Sequence, residues 1–243
     1  MRIISCVPSV SELIFDLNPD FLIGRTKFCI YPKDIKRIPK IGGTKSLDIG
    51  KIKHLQPDLI FSVKEENEKS QIEELSKSFM VKTFDIQTLN ESLEMISEIG
   101  ELMGKSAESQ SVISKIQEMR KPISFFEGKS VLYFIWQKPW MAVGGDTFIH
   151  SILNEIGLKN LRSMESRYPE VFDFQEIKNQ SPDFVFLSSE PFPFSEKHRR
   201  ELQNELPHSK VVLVDGTYFS WYGSRMAESW SYFETLARNL EVD

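Results

Sequence analysis

Cysteine is nearly absent: Cys6 and Cys29 are the only two in 243 residues. Two are too few for a disulfide framework, and neither stands in a CxxC or a metal-ligand spacing, so both read as unpaired thiols or small buried apolar residues. Histidine is almost as scarce. His54, His150, His198 and His208 fall on helices or beside turns without ligand-like partners, and each reads as a solvated or helix-terminal residue. No metal site is expected. Positive charge is not in excess: 30 Lys and Arg stand against 35 Asp and Glu, a net charge of -5, which excludes a general grip on nucleic acid. No apolar run approaches the roughly 18 residues of a membrane-spanning helix. Met1-Arg2 leads straight into a strand pattern, with neither the apolar core nor the cleavage site of a secretory leader. The expectation is a cytoplasmic chain, or a periplasmic one if a leader has been removed. GxSxG, Walker A, GxGxxG and HExxH are all missing, so no catalytic residue and no catalytic cofactor is assigned.

What is present is an ordinary globular composition, 40% hydrophobic and 27% charged, arranged around one stretch. Ser106 to Lys121 reads as a single helix. Ser106 is its N-cap, Val112, Ile113, Ile116 and Met119 recur at spacings of three and four, and Pro122 stops it. At about 1.5 Å per residue it would span roughly 24 Å. The chain on either side follows one plan twice. Ile52-Lys53-His54-Leu55-Gln56-Pro57-Asp58-Leu59-Ile60-Phe61 is answered by Ile177-Lys178-Asn179-Gln180-Ser181-Pro182-Asp183-Phe184-Val185-Phe186, at a constant spacing of 125 residues. The expected organisation is an N-terminal α/β lobe over 1–104, a connecting helix over 105–127 and a C-terminal α/β lobe over 128–243.

Strands alternate with helices throughout, which predicts parallel sheets flanked by helices. In the first lobe the strands are Ile3 to Val7, Phe21 to Ile23, Asp58 to Val63 and Met80 to Phe84. Ser9-Val10-Ser11-Glu12 reads as a capping box opening a helix through Leu17. Arg25 to Ser46 reads as a long irregular segment. In the second lobe the strands are Val131 to Ile135, Met141 to Val143, Phe184 to Leu187 and Lys210 to Val214. Ser195 caps a helix, and Asp215 to Ser224 is a loop before a terminal helix from Arg225 to Leu240.

Ligands of open parallel sheets sit beyond the carboxyl ends of the strands. The residues found there are Tyr31 and Lys45 in the first lobe. In the second they are Trp136, Trp140, Glu190, Phe192, Phe194, and the loop holding Phe219, Trp221, Tyr222 and Arg225. Exposed rings suit a large, flat, partly apolar ligand. The same rings would equally fill the core of the lobe. Arg225 offers a planar fork to a ligand carboxylate or phosphate; it would equally hold the terminal helix or a buried acid such as Asp215.

Taken in order, Ile3-Ile4-Ser5-Cys6-Val7-Pro8-Ser9 with Glu12, Cys29-Ile30-Tyr31-Pro32, Ile41-Gly42-Gly43, Leu55-Gln56-Pro57-Asp58-Leu59-Ile60, Tyr168-Pro169-Glu170, and Ser220-Trp221-Tyr222-Gly223-Ser224-Arg225 form a recognisable set. The chain resembles the helical-backbone substrate-binding proteins of cobalamin and iron-siderophore ABC importers, and among them the vitamin B12-binding members. The resemblance implies two lobes joined by one stiff helix, with an aromatic-lined cleft between them. It implies a non-catalytic, monomeric binder of a corrinoid, haem or ferric siderophore that feeds an ABC permease. Tyr31, Trp136, Trp221 and Tyr222 would face the ligand. The family's docking glutamates fall on Gly50 and Gln175 here; Asp48 and Glu176 lie next to them and are the substitutes. A cytosolic corrinoid carrier or sensor is the alternative, and a cleft enzyme of chelatase or transferase type a minor one.

Overall fold

The computed structural model describes residues 1–171 and 173–242. By its contacts the chain divides into two compact units. The first comprises Met1–Ile86, Asn90–Glu118 and Trp221–Ala227; the second comprises Gln87–Leu89, Met119–Ser220 and Glu228–Asp243. Each is an α/β unit built on a largely parallel sheet flanked by helices.

The first unit opens with β1 (Ile3–Ser5), α1 (Pro8–Leu17) and β2 (Leu22–Gly24). A small hairpin follows, β3 (Gly42–Gly43) with β4 (Ser46–Leu47), then α2 (Ile49–Leu55), β5 (Leu59–Val63), α3 (Lys69–Ser76) and β6 (Met80–Phe84). The sheet order is β2-β1-β5-β6, every pair parallel. Strands β1 and β5 are buried along their whole length, which is why they read as unbroken apolar runs. Helices α4 (Leu89–Leu102) and α5 (Ser106–Met119) complete it. These two pack closely because residue 100 is glycine: a Cβ there would lie 2.0 Å from the Ser109 hydroxyl. The helix expected over Ser106 to Lys121 is present: Ser106 is its first helical residue, it ends at Met119, and up to Glu118 it belongs to this unit by its contacts.

Two details of this unit differ from expectation. The capping box at Ser9–Glu12 does not form. Pro8 occupies the first helical position, where its missing N–H costs nothing, and the N-cap is Val7. Ser9 lies inside the helix, and Ser11 Oγ donates to the Val7 carbonyl at 2.8 Å. The stretch from Arg25 to Ser46 is also far from irregular. It holds a 3-10 turn over Lys33–Arg37 and the β3 strand. Its organiser is Arg25, 2% exposed. The guanidinium donates to the carbonyls of Ile35 (2.8 Å), Thr26 (2.9 Å), Lys36 (3.1 Å) and Cys29 (3.2 Å). Main-chain dipoles replace the water that a buried cation needs.

The second unit contains β7 (Ser130–Trp136), β8 (Met141–Ala142), α6 (Phe148–Glu155), β9 (Lys159–Asn160), α7 (Phe174–Gln180), β10 (Phe184–Ser188), α8 (Glu196–Glu205), β11 (Lys210–Val214), α9 (Thr217–Ser220) and α10 (Met226–Val242). Its sheet runs β11-β10-β7-β8, with β9 also on β7; β8 is antiparallel and the other pairs are parallel. The expected loop from Asp215 to Ser224 includes the short helix α9. One core cluster gathers Leu132, Phe134, Val185, Leu187, Phe194 and Leu202, with Trp140, Phe174 and Phe192 packed against it.

The internal repeat is visible atom by atom. Gln56 after α2 and Ser181 after α7 are both left-handed caps, with φ of 46° and 45°. Asp58 Oδ2 then accepts from the Arg2 N–H at 2.7 Å, and Asp183 Oδ2 from the Ser130 N–H at 2.7 Å. In each unit the aspartate of the Pro-Asp pair ties the entrance of one strand to the entrance of its neighbour.

Candidate functional site

Within the first unit the loops after the sheet's carboxyl edge converge on Arg225. Tyr31 lies on the loop that follows β2. Glu12 lies on α1, which follows β1, and Glu66 on the turn that follows β5. The segment Trp221–Ala227 returns to this unit and brings Arg225 with it. Arg225 Nη2 and Nε donate to the two carboxylate oxygens of Glu12 at 2.6 and 3.0 Å. The side chains are only 8% and 11% exposed. The guanidinium carbon stands 4.2 Å from the Tyr31 ring centre and 4.9 Å from that of Trp221. The two rings meet edge to face at 5.9 Å and 72°. This is a cation held between π faces, with its charge balanced by one buried carboxylate.

The choice left open for Arg225 is thereby resolved: it pairs with a buried acid, and the acid is Glu12. Asp215 instead accepts from the N–H and hydroxyl of Thr217, at 3.0 and 2.8 Å. Tyr222 extends the cluster. Its hydroxyl donates to Glu66 Oε1 at 2.7 Å, and burial together with the Glu66 carboxylate pushes the phenol well above its usual range. Ser224 Oγ hydrogen-bonds Asp16, and Ser92 Oγ lies 3.3 Å from Met226 Sδ. Gly223, at φ of 113°, lets the segment pass over α1: a Cβ there would sit 3.3 Å from the Ser9 carbonyl. Glu12 and Asp16 were missed as partners of this segment. The signal was present, two carboxylates one turn apart in a decapeptide with no other charge.

The remaining residues are distributed as follows. Lys45 is exposed and donates to the Glu65 carbonyl at 2.6 Å. Trp136 ends β7 and is 39% exposed, its ring edge against Phe192 at 5.6 Å. Glu190 accepts from Ser220 Oγ at 2.6 Å. One assignment is corrected. Phe219 is 0% exposed, packed among Tyr133, Phe186 and Phe233, so its ring has no surface to give a ligand. Trp140 is partly buried, stacked on Phe194 at 5.6 Å and 13° and tilted on Phe134 at 4.9 Å. Trp221 and Tyr222 belong to the first unit by their contacts, whereas the sequence reading put them in the second.

The proposed docking acids both have structural partners. Asp48 is the N-cap of α2 and accepts from the Lys51 N–H at 2.9 Å. Glu176 accepts from Arg162 at 2.9 Å. The repeat counterpart of Asp48 is Asp173, which caps α7 through the Gln175 N–H at 2.7 Å.

Cys6 and Cys29 are free and buried, and burial pushes the Cys6 thiol up to about 12. His150 lies between Asn154 and Asn160, with its pKa lowered by burial. His198 caps α8 through Ser195. Among the described residues no group of three or more His, Cys, Asp or Glu could hold a metal ion. Among them, too, no helix is long and apolar enough to cross a membrane.

Comparison with known proteins agrees with the fold. An uncharacterized ABC transporter substrate-binding lipoprotein, YvrC of Bacillus subtilis (strain 168), is 27% identical over 260 residues, taking in 100% of this chain and 80% of that protein. The crystal structure of the periplasmic vitamin B12 binding protein BtuF of Vibrio cholerae superposes with a TM-score of 0.83 at 18% identity, covering 100% of this chain and 98% of that one. The periplasmic heme-binding protein BhuT, in complex with two hemes, gives a TM-score of 0.84 at 18% identity, covering 98% of each chain. Residues 3–208 match the family described as periplasmic binding protein, and the chain belongs to that family.

Proposed function

We propose that this protein is a non-catalytic solute-binding protein for a flat metal chelate, a corrinoid or a haem or ferric-siderophore relative, and that it serves an ABC-type importer. The observation that carries the reading is the Tyr31–Arg225–Trp221 cluster. Two rings are fixed in place by a cation whose own charge is neutralised by Glu12, so the apolar area is pre-organised rather than recruited on binding. The names borne by similar proteins support the same class: vitamin B12 and heme binders, and an ABC substrate-binding lipoprotein.

Ligand contact is assigned to Tyr31 and Trp221, with Tyr222 and Arg225 holding them. Trp136 is the second unit's candidate ring, with Glu190 beside the same sheet edge; Lys45 is a candidate cation. Asp48 and Glu176 remain the proposed carboxylates for permease docking, both exposed at the starts of matching helices.

The test is a titration of the purified chain with cobalamin, cobinamide, haem and a ferric catecholate, read by tryptophan fluorescence. Saturable quenching by one member is expected, weakened about tenfold or more by Trp221→Ala, the loss of a buried aromatic anchor. Absence of saturable quenching by every member would overturn the reading.

A further inference from the structure

The loop from Lys27 to Lys45 is chemically unlike the rest of the chain. It carries six of the 30 cationic residues, Lys27, Lys33, Lys36, Arg37, Lys40 and Lys45, and only one acid, Asp34, in a protein of net charge -5. All six are exposed. Elsewhere several lysines meet carboxylates, as in Lys53–Glu74, Lys64–Asp85 and Lys178–Glu205. Among the described residues none of the six does. Lys27 lies over the Phe28 ring at 5.0 Å, Arg37 over Phe15 at 5.6 Å, and Lys45 on a backbone carbonyl.

The same loop displays apolar side chains. Phe28 is 50% exposed and Ile30 is 45% exposed. Neither takes part in the Tyr31–Arg225–Trp221 cluster. Their exposure is built in, because buried Arg25 pins the carbonyls of Thr26, Cys29, Ile35 and Lys36 from inside the loop. Gly43 brings the hairpin under the same residues: a Cβ there would lie 3.2 Å from Lys27 Cε and 3.3 Å from Phe28 Cε2.

We propose that this loop is a docking surface for an anionic phospholipid membrane. An exposed ring and an exposed aliphatic chain, on a loop whose ammonium groups meet no carboxylate and one of which lies over that ring, match the layered chemistry of a bilayer surface. The apolar ends enter the acyl boundary while the lysine stems reach back to phosphate. An acidic protein surface would neutralise the lysines but set Phe28 and Ile30 against charged groups. A negatively charged chain is repelled by an anionic bilayer as a whole, so the loop also fixes the orientation of approach. Each cation that reaches such a surface strengthens partition about fivefold.

The test uses the full chain, without ligand, sedimented with vesicles of phosphatidylcholine alone or of phosphatidylcholine and phosphatidylglycerol in equal parts. Partition is expected onto the anionic vesicles only. It should be lost when salt shrinks the Debye length to about 3 Å. Charge reversal of Lys33→Glu, Lys36→Glu and Lys40→Glu together should weaken it by at least roughly tenfold. Phe28→Ser with Ile30→Ser should weaken it while keeping its salt dependence. Circular dichroism of each variant should match the parent. Equal partition onto neutral vesicles, no partition onto either, or full partition by the charge-reversed variant would overturn the proposal. So would capture by immobilised polyglutamate with no capture by vesicles, which would assign the loop to an acidic protein.

Discussion

Arg225 and Glu12 lie 213 residues apart in sequence and share a two-point hydrogen-bonded ion pair that is almost closed to solvent. Removing one partner strands a buried charge. Glu12→Gln or Arg225→Met alone should therefore destabilise the chain by about 3–5 kcal/mol. The double replacement Glu12→Leu with Arg225→Met should cost less than either single change. Urea unfolding of the four proteins checks this; a double variant as unstable as the sum of the singles would refute the coupling.

Phe219 and Trp136, two rings of the second unit, should behave oppositely. Phe219→Ala empties a fully buried ring site and should cost about 3–5 kcal/mol in unfolding free energy. Trp136→Ala, at an exposed strand end, should stay within about 0.5 kcal/mol of the parent. Ligand quenching should fall for Trp221→Ala under conditions where circular dichroism shows that variant folded.

Arg25 should be irreplaceable by lysine. An ammonium on a flexible stem cannot reproduce a planar fork reaching carbonyls on two sides. Arg25→Lys is expected to cost about 2 kcal/mol or more by leaving buried carbonyls unpaired. Hydrogen exchange should rise across 26–43 and leave β10 and β11 unchanged. Uniform acceleration over the whole chain would point to global unfolding instead.

Acid should act on Asp183. The backbone N–H of Ser130, with the Ser130 hydroxyl, holds this carboxyl below its ordinary value. A carboxyl lowered in the folded chain stabilises the fold above its unfolded value of about 3.9, and that contribution disappears as pH falls through the folded value. The stability gap between the parent and Asp183→Asn should thus be open near pH 7 and shrink as pH falls below the unfolded value of about 3.9. A gap of equal size above and below that value would contradict this origin.

Much of the scaffold could be read from residue type. Strands β5 and β10 are apolar because both faces are covered, and their shared Pro-Asp entrance announced the repeat. The misreadings have several physical sources. Nothing local says that Arg25 binds four carbonyls, since such bonds leave no periodicity. Pro8 outcompeted Ser9 for the start of α1 because a fixed φ at the first helical position needs no side-chain cap. Trp140, Phe219 and Trp221 are alike as residue types. Only the neighbours, Phe194 for one, Tyr133 and Phe186 for the next, Arg225 and Tyr31 for the last, decide which cluster each ring joins.

The segment Trp221–Ala227 has a consequence for biosynthesis. Helix α1 leaves the ribosome well before the arginine that neutralises its buried glutamate, 213 residues further along. A fragment stopped at Glu118 would contain every strand of its sheet and still lack the segment that passes over α1 and pairs with Glu12. The first unit is therefore completed only after every strand of the second unit's sheet has been made.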